Sequence, residues 1–137
     1  MLSRNFKCYC FAASVQGKPF KWGRTNCVML AARLYDKLEG GKFWRKQVMN
    51  VLSEQQALKL CKSKPVYNAM VSNGFKQVKA KNMRLGDLIY VYADGLERLH
   101  IYYGEACLSS TAADGVVMLN TAEVVNYKNA ICLSKGS

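Results

Sequence analysis

Cys27 is the residue in this chain best placed for nucleophilic chemistry. It follows Trp22-Gly23-Arg24-Thr25-Asn26 and opens an apolar-periodic stretch that runs to Leu38. A thiol at a helix N-terminus meets unpaired backbone N–H groups and the positive end of the dipole, and both favour the thiolate. A cysteine nucleophile also needs an imidazole within hydrogen-bond reach and a polar group that orients the imidazole. The chain has one histidine, His100, which is therefore the candidate base. Ser110, Ser109 and Asn120 are the polar candidates for the orienter, and the sequence does not choose among them. Thr25 and Asn26 stand where a cap and oxyanion donors belong. The plain alternatives are a buried thiol on an apolar stripe for Cys27 and a half-buried strand residue for His100.

The elements that would position these groups follow from periodicity. Residues 2–15 read as a packed helix, broken at Gln16-Gly17-Lys18-Pro19. Cys27, Leu30, Ala31, Leu34, Tyr35 and Leu38 recur at helical steps, and Gly40-Gly41 ends that helix. Ser53-Glu54-Gln55-Gln56 predicts a capping box for a second short helix, with Ala57, Leu58, Leu60 and Cys61 inside it. Pro65 sits at the first turn of a third, Val66 to Ser72, closed by Asn73-Gly74. From Phe75 the pattern changes to strands: 88–92, 98–103, 106–110, 116–119 and 130–133, with hairpin turns at Ala93-Asp94-Gly95 and Ala113-Asp114-Gly115. The expected architecture is one α+β domain over residues 1–137. Its helical half, about 1–74, packs on an antiparallel meander sheet, about 75–137.

The composition narrows the function. The chain has 137 residues, 50% apolar, and no apolar run long enough to cross a bilayer. Its formal charge of +11 is uneven. Residues 1–50 carry ten Lys or Arg against two acids, 51–87 seven against two, and 88–137 three against five. A basic N-terminal two-thirds suggests an anionic partner: nucleic acid, an anionic cell wall or an acidic protein. The six cysteines include no C-x-x-C pair, and with a single histidine a zinc site is not expected. Apart from Cys27 they read as small core residues in a reducing compartment. The N-terminal segment is a poor signal peptide, so synthesis in a cytoplasm without export is expected.

Gly17 to Cys27, with Phe20-Lys21-Trp22-Gly23 leading into Asn26-Cys27, then Leu30-Ala31-Ala32, Leu85-Gly86-Asp87-Leu88-Ile89-Tyr90 and His100-Ile101-Tyr102-Tyr103-Gly104, resembles the NlpC-type cysteine peptidases. The likeness is greatest to their small phage-encoded branch and covers roughly residues 17–40 and 83–112. It implies a papain-like fold and hydrolysis of peptidoglycan stem peptides by Cys, His and a third polar residue, without a metal or cofactor. In the family pattern the histidine stands six residues before the closing glycine. Here that position is Arg98, and His100 stands where a glycine is usual. Residues 98 and 100 share a strand face. Either His100 serves as base one step along, or Arg98 has replaced the base and the domain is not an enzyme. The third family position falls on Ser110 or close to it. Two functions follow from the resemblance. One is a cell-wall hydrolase using Cys27, His100 and Ser110, carried in the virion or tail. The other is an inactive virion component of the tail or head-tail region that contacts other virion proteins or DNA through its basic face.

Overall fold

Ser3 precedes the first amphipathic run, and its hydroxyl accepts the Phe6 N–H at 3.2 Å. It thereby caps helix α1 (Arg4–Val15), which buries Cys8, Phe11, Ala12 and Val15 along one stripe. The protein is described from a computed structural model covering residues 2–49, 64–93, 95–127 and 129–135. Helix α2 (Cys27–Glu39) buries Leu30, Ala31, Leu34 and Tyr35 and ends on Gly40, whose φ of 74° is the left-handed cap expected of a glycine.

Residues 43–49 are helical, which the sequence did not predict because Gly40-Gly41 reads as a stop. The cap comes from the preceding helix. The buried Asp36 carboxylate accepts the Trp44 N–H at 2.7 Å, the Arg45 N–H at 3.2 Å and the Arg45 Nε at 2.8 Å. The predicted capping box at 53–56 and the helix after it lie outside the described residues.

Helix α3 (Pro65–Ser72) begins with Pro at its first turn, as its sequence requires. Its free amides are also met from a distance. The Glu97 carboxylate accepts Val66 N–H at 3.0 Å, Tyr67 N–H at 2.9 Å and the Tyr90 hydroxyl at 2.7 Å.

Six strands follow: β1 (Phe75–Gln77), β2 (Leu88–Ala93), β3 (Leu96–Tyr102), β4 (Ala106–Thr111), β5 (Gly115–Asn120) and β6 (Ile131–Lys135). They form one antiparallel sheet in the order β1-β6-β2-β3-β4-β5. Strands β2 to β5 are the predicted meander. The sequence missed β1, which is three residues long. It also missed helix α4 (Thr121–Val125), capped by Asn120 Oδ1 accepting the Ala122 N–H at 2.9 Å. Through α4 the chain turns back so that β6 pairs with β2 on the far side of the meander.

The class is α+β, with helices leading and the antiparallel sheet following. Alternation along the strands gives the sheet two faces. One face carries Leu88, Tyr90, Leu99, Ile101 and Leu108 and packs with Phe11, Leu30, Leu34 and Tyr35 in a single core. The other carries Ile89, Val91 and Cys107 and is covered by Val124 of α4. Polar ties also cross from helices to sheet. Tyr35 Oη donates to Gly86 O at 2.7 Å, Arg4 Nε to Leu85 O at 3.0 Å and Tyr103 Oη to Cys8 O at 2.6 Å.

Candidate active site and basic cleft

The segment leading to Cys27 is fixed by its own polar residues. Gly17 N–H donates to Val116 O at 2.9 Å and Val116 N–H to Lys18 O at 2.8 Å, so β5 holds the start of the loop. Thr25 Oγ1 donates to Pro19 O and accepts from Lys21 N–H, both at 2.7 Å. Asn26 Oδ1 accepts the Gly23 N–H at 2.8 Å. Asn26 therefore occupies the cap position, but its side chain faces back into the loop and makes no cap hydrogen bond to α2. Thr25 and Asn26 are both buried and serve as braces. The expectation that their side chains cap α2 is corrected: the glycine turn takes the Asn26 oxygen first.

Cys27 is the first residue of α2 and keeps part of its surface exposed. Its sulfur is turned towards β3. Burial pushes the thiol pKa above its ordinary value. Hydrogen bonding with the Leu99 backbone, the Arg98 guanidinium, and the backbone of Val28 and of Cys27 itself all pull it down, and burial prevails. The helix N-terminus supplies a thiolate-favouring environment, but desolvation of the charged form outweighs it.

His100 stands elsewhere. It pairs across the ladder with Ile89, whose side chain belongs to the layer under α4. Leu99 and Ile101, its neighbours in β3, face the helices. His100 is thus turned to the sheet face opposite α2. Its Nδ1 is hydrogen-bonded to Ser109 Oγ, and its Nε2 is buried without a partner. Burial first, then the Arg98 charge, lowers its pKa to about 4, so the ring is neutral near pH 7.

The polar candidates separate in the same way. Ser109, on the His100 face, is the imidazole's partner. Ser110 points to the opposite face, and its buried hydroxyl has no hydrogen-bond partner. Asn120 caps α4. Among Cys27, His100 and Ser110, no hydrogen bond joins any two. The site expected from these three is not assembled, because adjacent strand residues face opposite layers. After burial and hydrogen bonding with the Leu99 backbone, the charge of Arg98, the residue at the family's base position, also acts on the Cys27 thiol. Under α4, the hydroxyls of Ser109 and Thr121 lie against the buried Cys107 thiol, a grouping the sequence did not suggest. Two residues on β4 and one at the start of α4 carry no spacing signal.

Beside the loop lies a cleft of about 570 Å³ lined by Lys18, Lys21, Arg24, Thr25, Arg33 and Arg45, among others. The sequence signalled it only through the charge excess of residues 1–50. Among the described residues no group of three or more His, Cys, Asp or Glu is placed to hold a metal. No described helix is long and apolar enough to cross a membrane.

A family model for a domain of unknown function, DUF6950, matches residues 6–127. That range takes in the loop, α2, the four-strand meander and α4. No curated protein matches the chain.

Proposed function

The chain belongs to the DUF6950 family, and on that premise we propose that it is a non-hydrolytic relative of the NlpC-type peptidases. In this reading it is made in a host cytoplasm, carried in the tail or head-tail region of a phage particle, and contacts virion proteins or DNA through its basic face. One observation carries the reading: the His100 imidazole faces the Ile89–Val91 layer of the sheet, away from α2, with its Nδ1 taken by Ser109, and the charged side chain whose field reaches Cys27 is that of Arg98. A guanidinium stays protonated and cannot accept a proton from a thiol or return one to a leaving amine. An imidazole with a pKa of about 4 is a weak base near neutrality, even if it could reach the sulfur. The placement in a phage particle rests on the resemblance of the Trp22-to-Cys27 stretch alone.

A second reading, a cysteine peptidase acting on cell-wall peptides, is favoured by the backbone of Leu99, Val28 and Cys27 around the thiol. Such a nest of amides suits a thiolate or an oxyanion. Release of dye from labelled peptidoglycan sacculi separates the two. The intact chain should release none, and Cys27→Ser should behave identically. Release by the native chain that disappears in Cys27→Ser would overturn the first reading in favour of the second.

A further inference from the structure

Five cations line the cleft beside the α1–α2 loop: Lys18, Lys21, Arg24, Arg33 and Arg45. Among the described residues no carboxylate lines it. Among the described residues only Arg45 of the five has an acidic partner, Asp36, whose Oδ2 its Nε meets at 2.8 Å. Arg33 Nη1 donates to a neutral acceptor, Arg24 O, at 3.3 Å. Burial, then the charges of Arg45 and Arg24, depress the Arg33 pKa. The three guanidiniums therefore repel one another across the cleft. Like charges gathered in this way oppose folding, and an anion entering the cleft relieves the repulsion.

The cleft is also pre-formed. Val116 holds Gly17 and Lys18, and Thr25 and Asn26 brace the turn between Pro19 and Gly23. A ligand therefore does not have to order this loop. Its volume lies within the range of small-ligand pockets, about 300–1,000 Å³. Trp22 adjoins it, between Lys21 and Gly23 in the chain. It is 58% exposed and tilted against Phe20, with ring centroids 6.2 Å apart.

We propose that this cleft binds a segment of single-stranded nucleic acid, with phosphates held by Arg24, Arg33 and the two lysines and a base stacked on Trp22. Cations alone would suit any polyanion. The exposed indole between them in the chain adds a stacking face that, among nucleic acids, an unpaired base can use, since a duplex keeps its base faces stacked. This names the partner of the basic face invoked above and rests on that reading. Failure to bind nucleic acid would leave the absence of hydrolysis standing, and release from sacculi would leave this site standing.

The experiment is fluorescence anisotropy of the full chain with a labelled oligothymidylate, with a duplex of equal length and heparin for comparison. Four cations without carboxylate partners, at about 0.7 each, predict a log–log salt slope of about −3 between about 50 and 200 mM salt. Trp22→Ala should weaken the oligonucleotide about tenfold and leave heparin unchanged. Trp22→Phe should restore most of the loss. Arg24→Ala with Arg33→Ala should weaken oligonucleotide and heparin alike, while Lys76→Ala on β1 should change neither. Circular dichroism melts identify any variant that is merely unfolded. Absence of binding at about 50 mM salt, preference for duplex, indifference to Trp22→Ala, or an equal loss with Lys76→Ala would each overturn the proposal.

Discussion

At the scale of single residues, the contrast between Cys27 and His100 decides the chemistry. Cys27 has the helix N-terminus that thiol chemistry uses, yet its sulfur faces β3 and burial holds the thiol protonated. Iodoacetamide at neutral pH should therefore label the exposed Cys10 before Cys27, read by peptide mass spectrometry. Arg98→Ala, which removes a charge that lowers the Cys27 pKa, should slow Cys27 labelling severalfold further. Faster labelling in Arg98→Ala would contradict the placement of that guanidinium.

His100 makes a separate prediction through linkage. Its folded pKa of about 4 lies below the ordinary value of 6.5, so between those values the unfolded chain binds the extra proton. Its contribution to stability is fully present above pH 6.5 and is lost as pH falls towards 4. A shift of this size corresponds to roughly 3 kcal/mol. Urea unfolding of the native chain and of His100→Gln at several pH values isolates this, because other groups titrate in both. The native chain should lose more stability on acidification, and parallel curves would refute the assignment.

At the scale of elements, two helix starts depend on acids remote in sequence. Asp36 caps residues 43–49 and Glu97 caps α3. A buried carboxylate bonded to two amides and a hydroxyl leaves all three unsatisfied when removed. Glu97→Ala should therefore cost about 2–4 kcal/mol in urea unfolding, whereas Glu123→Ala, on the exposed side of α4, should cost little. The loop anchor yields a further prediction. Gly115 has φ 74°, and a Cβ there would lie 2.4 Å from Lys18 O. Gly115→Ala should cost at least about 2 kcal/mol and should weaken oligonucleotide binding by releasing Lys18.

These dependencies also explain what the sequence made legible. Helix α2 was readable because its stripe and its Gly40 stop are local. Strands β2 to β5 were readable because their runs end in turn residues. Helix α4 is too short for a periodic signal, and the helix at 43–49 follows a stop and borrows its cap. The facing of His100 was hidden for a different reason. Leu88, Ile89, Tyr90 and Val91 are all buried, so alternation did not reveal which face the helices cover. A single histidine therefore looked available to Cys27 when it belonged to the other layer.

At the scale of the whole molecule, 20 basic against nine acidic residues is the dominant electrostatic fact. Self-repulsion of that size weakens the folded state, and salt screens it. The thermal midpoint should rise by a few degrees from about 50 to 500 mM sodium chloride. A falling midpoint would mean that the ion pairs at Asp87, Asp36 and Glu39 outweigh the repulsion. The same arrangement that positions Cys27 also affects how copies meet. Val116 spends its outward N–H and C=O on Lys18 and Gly17, which leaves Met118 as the next outward-facing residue of β5 before Asn120 turns into α4. At the opposite end, β1 is three residues long and bears the exposed Lys76. Neither border of the sheet presents a long row of free backbone groups, so a neighbouring chain has almost no strand to extend. Crowded copies of this protein should therefore meet through side chains and resist intermolecular β-aggregation.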